Sequence, residues 1–152
     1  MSDPVQFESA TPRFALPLLF AGQAQKEFFV NEALLRADLL LQCVVEAEVQ
    51  APPTAPTAGQ AWLVGDAPEG VFAGHTGAIA GWTNDGWRFV APREGSRVFD
   101  RSRLCFRLYS GSWRSPSSPT PAVGGTVVDS EARGAIAAIL EALAASGVIA
   151  AT

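Results

Sequence analysis

The rhythm of apolar and polar positions changes three times along the chain. Residues 1–20 carry Pro or aromatic-bracketed turns and no helical period, which predicts an extended arm in need of a surface to lie against. From Asn31 the pattern turns helical. Asn31 is a good N-cap, Glu32 suits the positive end of a helix, and "EALLRADLLLQCVVEAE" contains neither Gly nor Pro, so a helix is predicted from about Glu32 to Val45. One stripe runs Leu34, Ala37, Leu41, Val44 at helical spacing. Leu35, Leu39 and Leu40 spread the apolar surface wider, leaving Glu32, Arg36, Asp38, Gln42 and Glu46 for water. A helix so apolar around its girth must bury two sides. Either the arm and sheet of the same chain cover the second side, or copies of the chain do; the expectation is an oligomer interface through Leu34, Ala37, Leu41 and Val44.

The middle of the chain reads as strands. "QAPPTAPTAGQ" (50–60) is a stiff Pro-rich connector. After it, "AWLVG", "GAIAGW" and "WRFVAP" alternate with turn signals, and "TNDG" between the latter two is a strong hairpin signal. "SRVF" and "LCFRLY" flank "DRSR", and "YSGSW" turns through Gly111. These segments predict an antiparallel meander of five or six short strands from about Ala61 to Trp113. A faint internal echo runs through it: "NDGWR" returns as "SGSWR". "SPSSPTPAVGG" (115–125) is a second linker, followed by an Ala-rich helix capped by Asp129 or Ser130, with the stripe Ile136, Ile139, Leu140, Leu143 and Gly147 as the C′ residue. The predicted class is therefore α+β, divided into an arm and assembly helix (1–50), a small antiparallel β domain (51–116), and a linker with a C-terminal helix (117–152).

Composition narrows the functions. The 152 residues are 48% hydrophobic and 17% charged, which is globular, while 14 Gly and 11 Pro imply many turns. A net charge of −4 without a basic block argues against nucleic acid as a partner. No stretch reaches the roughly 18 apolar residues of a membrane span. "FALPLLFAGQA" (14–24) imitates a secretory signal, but Asp3 and Glu8 make its leader acidic and Pro17 interrupts the run; an apolar arm packed on a neighbour is the plainer reading. Cys43 and Cys105 lie in apolar runs and read as buried thiols rather than a disulfide framework.

Candidate chemistry is sparse. His75 is the single histidine, among small and apolar neighbours, and no Cys or second His stands at metal-ligand spacing, so neither a cofactor nor a metal is expected. "GVFAGHTG" lacks the Lys of a phosphate loop and leads to a strand. Asp66 and Glu69 could pair for glycoside hydrolysis, yet two acids in a surface turn usually face water, and no catalysis is expected. Four tryptophans are more suggestive, because an exposed indole suits the apolar face of a sugar. Trp62 and Trp82 read as core. Trp87 and Trp113 follow tight turns and, with His75, form the candidate carbohydrate-binding set.

Taken in order, "QAQKEFFVNEALLRADLLLQ", "APPTAPTAGQAWLVG", "FAGHTGAIAGWTNDGWRFVAPREG" and "SGSW" resemble domain of unknown function family 2793, over about Thr11 to Pro116. The resemblance implies a virion accessory protein encoded in alphaproteobacterial prophages and gene transfer agent clusters. A tail fibre or head spike component that helps a phage-like particle attach to a cell is the expected role. It further implies a homo-oligomer, a trimer by analogy with fibres, made in the cytoplasm and assembled with tail or capsid proteins, with cell-surface polysaccharide as a possible target. No catalytic residue is carried over. Phe28 and Phe29 depart from the family pattern, where smaller or polar residues are usual, and are expected, with Ile136, Leu140 and Leu143, to dock a partner.

Overall fold

The computed structural model describes residues 9–22, 24–120, 123–125 and 129–150. Among the described residues, two helices and eight strands follow in the order α1 (Lys26–Leu40), β1 (Val44–Val45), β2 (Glu48–Val49), β3 (Ala61–Val64), β4 (Ile79–Thr83), β5 (Gly86–Val90), β6 (Arg97–Asp100), β7 (Cys105–Ser110), β8 (Ser112–Arg114) and α2 (Ser130–Ala145), with a 3-10 turn at Gly70–Phe72. The protein is α+β, with a helix before the strands and another after them. The antiparallel strands divide into two meanders of three, β3-β4-β5 and β6-β7-β8. Each is widened by a two-residue parallel strand, β2 beside β3 and β1 beside β6. The chain forms two compact units: one runs to Cys43 and resumes over Glu48–Ala91, the other takes Val44–Ala47 and continues from Pro92.

The helix α1 corrects the expected boundaries at both ends. It begins at Lys26, behind Gln25, because nothing in "KEFFVN" opposes a helix. Asn31 therefore sits inside it and caps nothing. Its carboxamide instead accepts from Leu19 N–H (2.8 Å) and donates to Leu19 C=O (3.0 Å), as a paired strand would. The helix ends at Leu40, since Leu41 is extended and Gln42 has positive φ, and the β-branched Val44 and Val45 serve better as a strand. The stripe Leu34, Ala37, Leu41, Val44 is thus not one helical face. The buried positions of α1 are Leu35, Asp38 and Leu39.

Asp38, assigned to water by its charge, is the largest reversal. Its carboxylate is buried and accepts from Thr11 Oγ1 (2.6 Å), Arg13 N–H (3.0 Å) and Phe14 N–H (2.8 Å). Arg13 also donates to the Leu39 carbonyl at 2.8 Å, completing the C-terminal end of α1. The arm therefore lies along the helix of its own chain, where an apolar arm reaching a neighbour was expected. A bridge between Ala10 and Pro17 shapes it into a small loop.

In the first unit the core gathers Val64, Phe72, Ala78 and Ala80, with Val49, Trp87 and Phe89 packed on it. Phe72, on the 3-10 turn between β3 and β4, is fully buried there. In the second unit Val45, Val98 and Cys105 are buried with the charged Asp100 and Arg107. Those charges are tolerable because they are paired: Asp100 Oδ2 lies 3.6 Å from Arg107 and 3.5 Å from Arg103, and Oδ1 accepts from Ser102 N–H and Oγ. The "DRSR" turn is held by that carboxylate. At the C-terminal end of α2, Gly147 N–H reaches Ala144 C=O and Val148 N–H reaches Leu143 C=O, the paired bonds of a Schellman cap, while Asp129 accepts from Ala132 N–H at the start.

Candidate functional site

Two features of the surface stand out: apolar side chains left outside on both helices, and an arginine-lined groove on the second sheet. On α1, Phe28 and Phe29 are 70% and 73% exposed and meet edge to face at 5.7 Å. On α2 no side chain is buried; Ile136 and Ile139 are 51% and 58% exposed, and Leu140 and Leu143 are half-buried. Of the expected interface set, Ala37 and Leu41 are exposed, Leu34 is half-buried on α1, and Val44 is half-buried in β1.

The groove, of about 460 Å³, lies in the second unit. The register Arg97↔Leu108↔Arg114 across β6, β7 and β8 puts these three residues in one row on one face, since directly paired residues share a face. Phe99 and Phe106, paired in the next row on that face, continue the surface. Arg97 stacks over the Phe106 ring at 4.7 Å. Val148 and Pro116 complete the walls, and Phe106 N–H donates to Gly147 C=O at 2.8 Å, tying the end of α2 to β7. None of this was read from the sequence; alternate residues of "SRVF" and "CFRLYS" offered a two-residue period, but no signal showed which face stays open.

The candidate carbohydrate-binding residues are split. Trp87 and His75 belong to the first unit and Trp113 to the second. Trp87 is half-buried, with edge contacts to Trp62 (5.6 Å), Phe72 (4.9 Å) and Trp82 (5.0 Å). His75 is exposed and stacks flat on Phe89 at 3.8 Å. Trp113 is half-buried and packs on Tyr109 at 5.3 Å. Asp66 and Glu69 are both exposed. Among the described residues no group of three or more His, Cys, Asp or Glu could hold a metal ion.

Cys43 and Cys105 are free and buried. Burial pushes the Cys43 thiol up, partly offset by the Arg13 guanidinium. Burial also raises the Cys105 thiol, with the Asp100 carboxylate adding to it and Arg103 and Arg107 opposing. Neither thiol is disposed to act as a nucleophile. The Glu131 carboxyl is held low by the Ser130 hydroxyl and by its own backbone N–H. No helix of the described residues is long and apolar enough to cross a membrane.

The fold defines a class: an α+β protein carrying two four-stranded sheets of matching topology between an N-terminal and a C-terminal helix. The chain belongs to the family described as "Protein of unknown function (DUF2793)", whose profile matches residues 30–114. The match opens within α1 and stops at the last residue of β8, so both sheets lie inside it and α2 outside. No curated protein matches the chain.

Proposed function

We propose that this protein is a non-catalytic, self-associating structural component of a phage-like particle, a tail fibre or head spike of a prophage or gene transfer agent, that serves assembly and host-cell attachment. The observation that carries the reading is the apolar surface left on both helices, above all Phe28, Phe29, Ile136 and Ile139. Covering each would stabilise an assembly by about 1.5 to 3 kcal/mol, a scale that offsets the cost of association when several are covered together. Apolar surface on each of the two units suits a part that contacts sister copies and other particle proteins at once. The sparse titratable chemistry favours scaffolding over turnover, and the prophage setting is what the sequence resemblance implies.

Light scattering of the purified chain, together with immunodetection in density-purified particles, tests the proposal. An oligomer that co-sediments with particles is the expected result. A monomer absent from particles overturns it, and a monomer that retains surface polysaccharide through Trp87, Trp113 or His75 selects the rival reading of a carbohydrate-binding module.

A further inference from the structure

The two sheets are register-equivalent, residue for residue. In the first, Val64 pairs with Val49 and Leu63 with Glu48; in the second, Asp100 pairs with Val45 and Phe99 with Val44. Gly65 N–H donates to Val49 C=O as Arg101 N–H donates to Val45 C=O, both at 2.9 Å. The entry turns match too: Gly59 N–H and Gly95 N–H donate to Trp82 and Tyr109 carbonyls, and Thr57 N–H and Arg93 N–H are bound by the Gln60 and Ser96 side chains. Tyr109–Trp113 repeats the cross-strand pair Trp82–Trp87. The correspondence places the row Arg97–Leu108–Arg114 where the first sheet has Ala61–Gly81–Arg88.

In the first unit that face is occupied. Helix α1 sits on it, with Leu39 so close to Gly81 that a Cβ there would stand 2.7 Å from Leu39 Cδ1, and with Glu32 paired to Arg88 at 3.0 Å. Glu32, Leu35 and Leu39 recur at helical spacing along one face of α1. In the second unit Gly147 packs against the Phe99 and Phe106 rings, and the row Arg97–Leu108–Arg114 of the matching face is left as an open groove, with Leu108 46% exposed and Arg97 and Arg114 at the surface.

We propose that the open face of the second sheet is the seat of a helix held as α1 is held on the first, and that its occupant is α2 of a second copy of this chain. Charge and size both select that occupant. Along one side of α2 the sequence runs Glu131, Gly134, Ala135, Ala138, Ala142, so Glu131 stands to Ala138 as Glu32 stands to Leu39. The bulk is reversed in register. Where the first sheet offers Gly81 to the large Leu39, the second offers the large Leu108 to the small Ala138. Glu131 would meet Arg114 as Glu32 meets Arg88, with Arg97 in the same row and no acid lining the groove. All five of those α2 residues are exposed, and seating them leaves Ile136 and Ile139 on the other side for further contacts. Mutual exchange of α2 closes a dimer; one-way donation closes a ring where the rotation between copies closes and otherwise extends as a filament. This deepens the assembly reading by naming a contact and rests on self-association being real.

The test is charge reversal in the full chain, read by sedimentation equilibrium. Arg114→Glu and Glu131→Arg should each raise the dissociation constant about tenfold or more, and the double variant should return it to within about threefold of the unaltered chain. Leu108→Glu, also at an exposed position, should abolish association while far-UV circular dichroism stays unchanged. An oligomer indifferent to all three changes, or single variants not rescued by the double, overturns the groove proposal alone. A chain that is monomeric before any substitution overturns this proposal and the assembly reading together.

Discussion

The first sheet is enclosed on both faces by its own unit and the second is not, although their hydrogen-bond registers coincide. In the first, Phe72 comes over one face from the long β3–β4 connection, and α1 with the arm covers the other. In the second, the corresponding connection is only Arg101–Leu104, and on the face matching that of α1 the row Arg97–Leu108–Arg114 is open. Side chains follow the covering. Ala61, Ala80 and Gly81 are small where neighbours press closely, whereas Arg97, Arg107 and Leu108 hold the matching positions. Backbone pairing and turn chemistry therefore define the repeated frame, and what lies on each face decides its residues.

The strongest way to break the comparison is to unlatch what covers the first sheet. Asp38→Ala removes three hydrogen bonds and strands the N–H groups of Arg13 and Phe14, so a loss of about 3 kcal/mol or more is expected. Urea unfolding should show a lower midpoint, and limited proteolysis should cut at Arg13 faster than in the unaltered chain. An unchanged midpoint would mean that the latch contributes nothing.

A smaller effect is expected from making the first sheet resemble the second. Gly81→Leu places a side chain where Leu39 already stands, and should cost about 1 to 3 kcal/mol by overpacking. Leu39→Ala combined with it should cost less than the sum of the two changes by about 1 kcal/mol or more. Strict additivity in thermal melts would show that the two positions do not compete for the same space. The reverse change, Leu108→Gly, falls on an exposed residue and should lower stability by less than about 1 kcal/mol.

Much of the frame was legible before the structure. The turn residues of "TNDG", "DRSR" and "YSGSW" placed the hairpins, and the echo of "NDGWR" in "SGSWR" marked corresponding turns of the two sheets, because turn chemistry is local. The α2 caps were equally local, and Asp129 and Gly147 act as read. What failed depended on tertiary partners. Asn31 read as a cap and Asp38 as a solvated charge, since their sequence neighbours do not reveal that the arm folds back to Leu19, Arg13 and Phe14. Val44 and Val45 prolonged the helical pattern on paper, yet β6 recruits them as a strand more than fifty residues away in sequence. The open face was invisible, because alternation shows that a strand has two faces and not which one is left without cover.

The finest test of the comparison uses a matched pair of glycines. Gly59 and Gly95 occupy equivalent turns at φ +92° and +82°, so an alanine at either position pays for a backbone that L side chains avoid, about 1 to 2 kcal/mol. That cost is common to both sheets. Only Gly59 has neighbours: a Cβ there would lie 3.3 Å from Arg13 Cγ and 3.4 Å from the Pro12 carbonyl, whereas nothing lies within 4 Å at Gly95. Gly59→Ala should therefore destabilise by a few tenths of a kcal/mol more than Gly95→Ala, the extra being the crowding of the arm. Because Asp38 pins that arm, the same pair made in an Asp38→Ala background should converge, as a released arm no longer presses on Gly59. Chemical denaturation of the five variants reads the difference directly, and a gap that survives the loss of Asp38 would assign the crowding to something other than the latched arm.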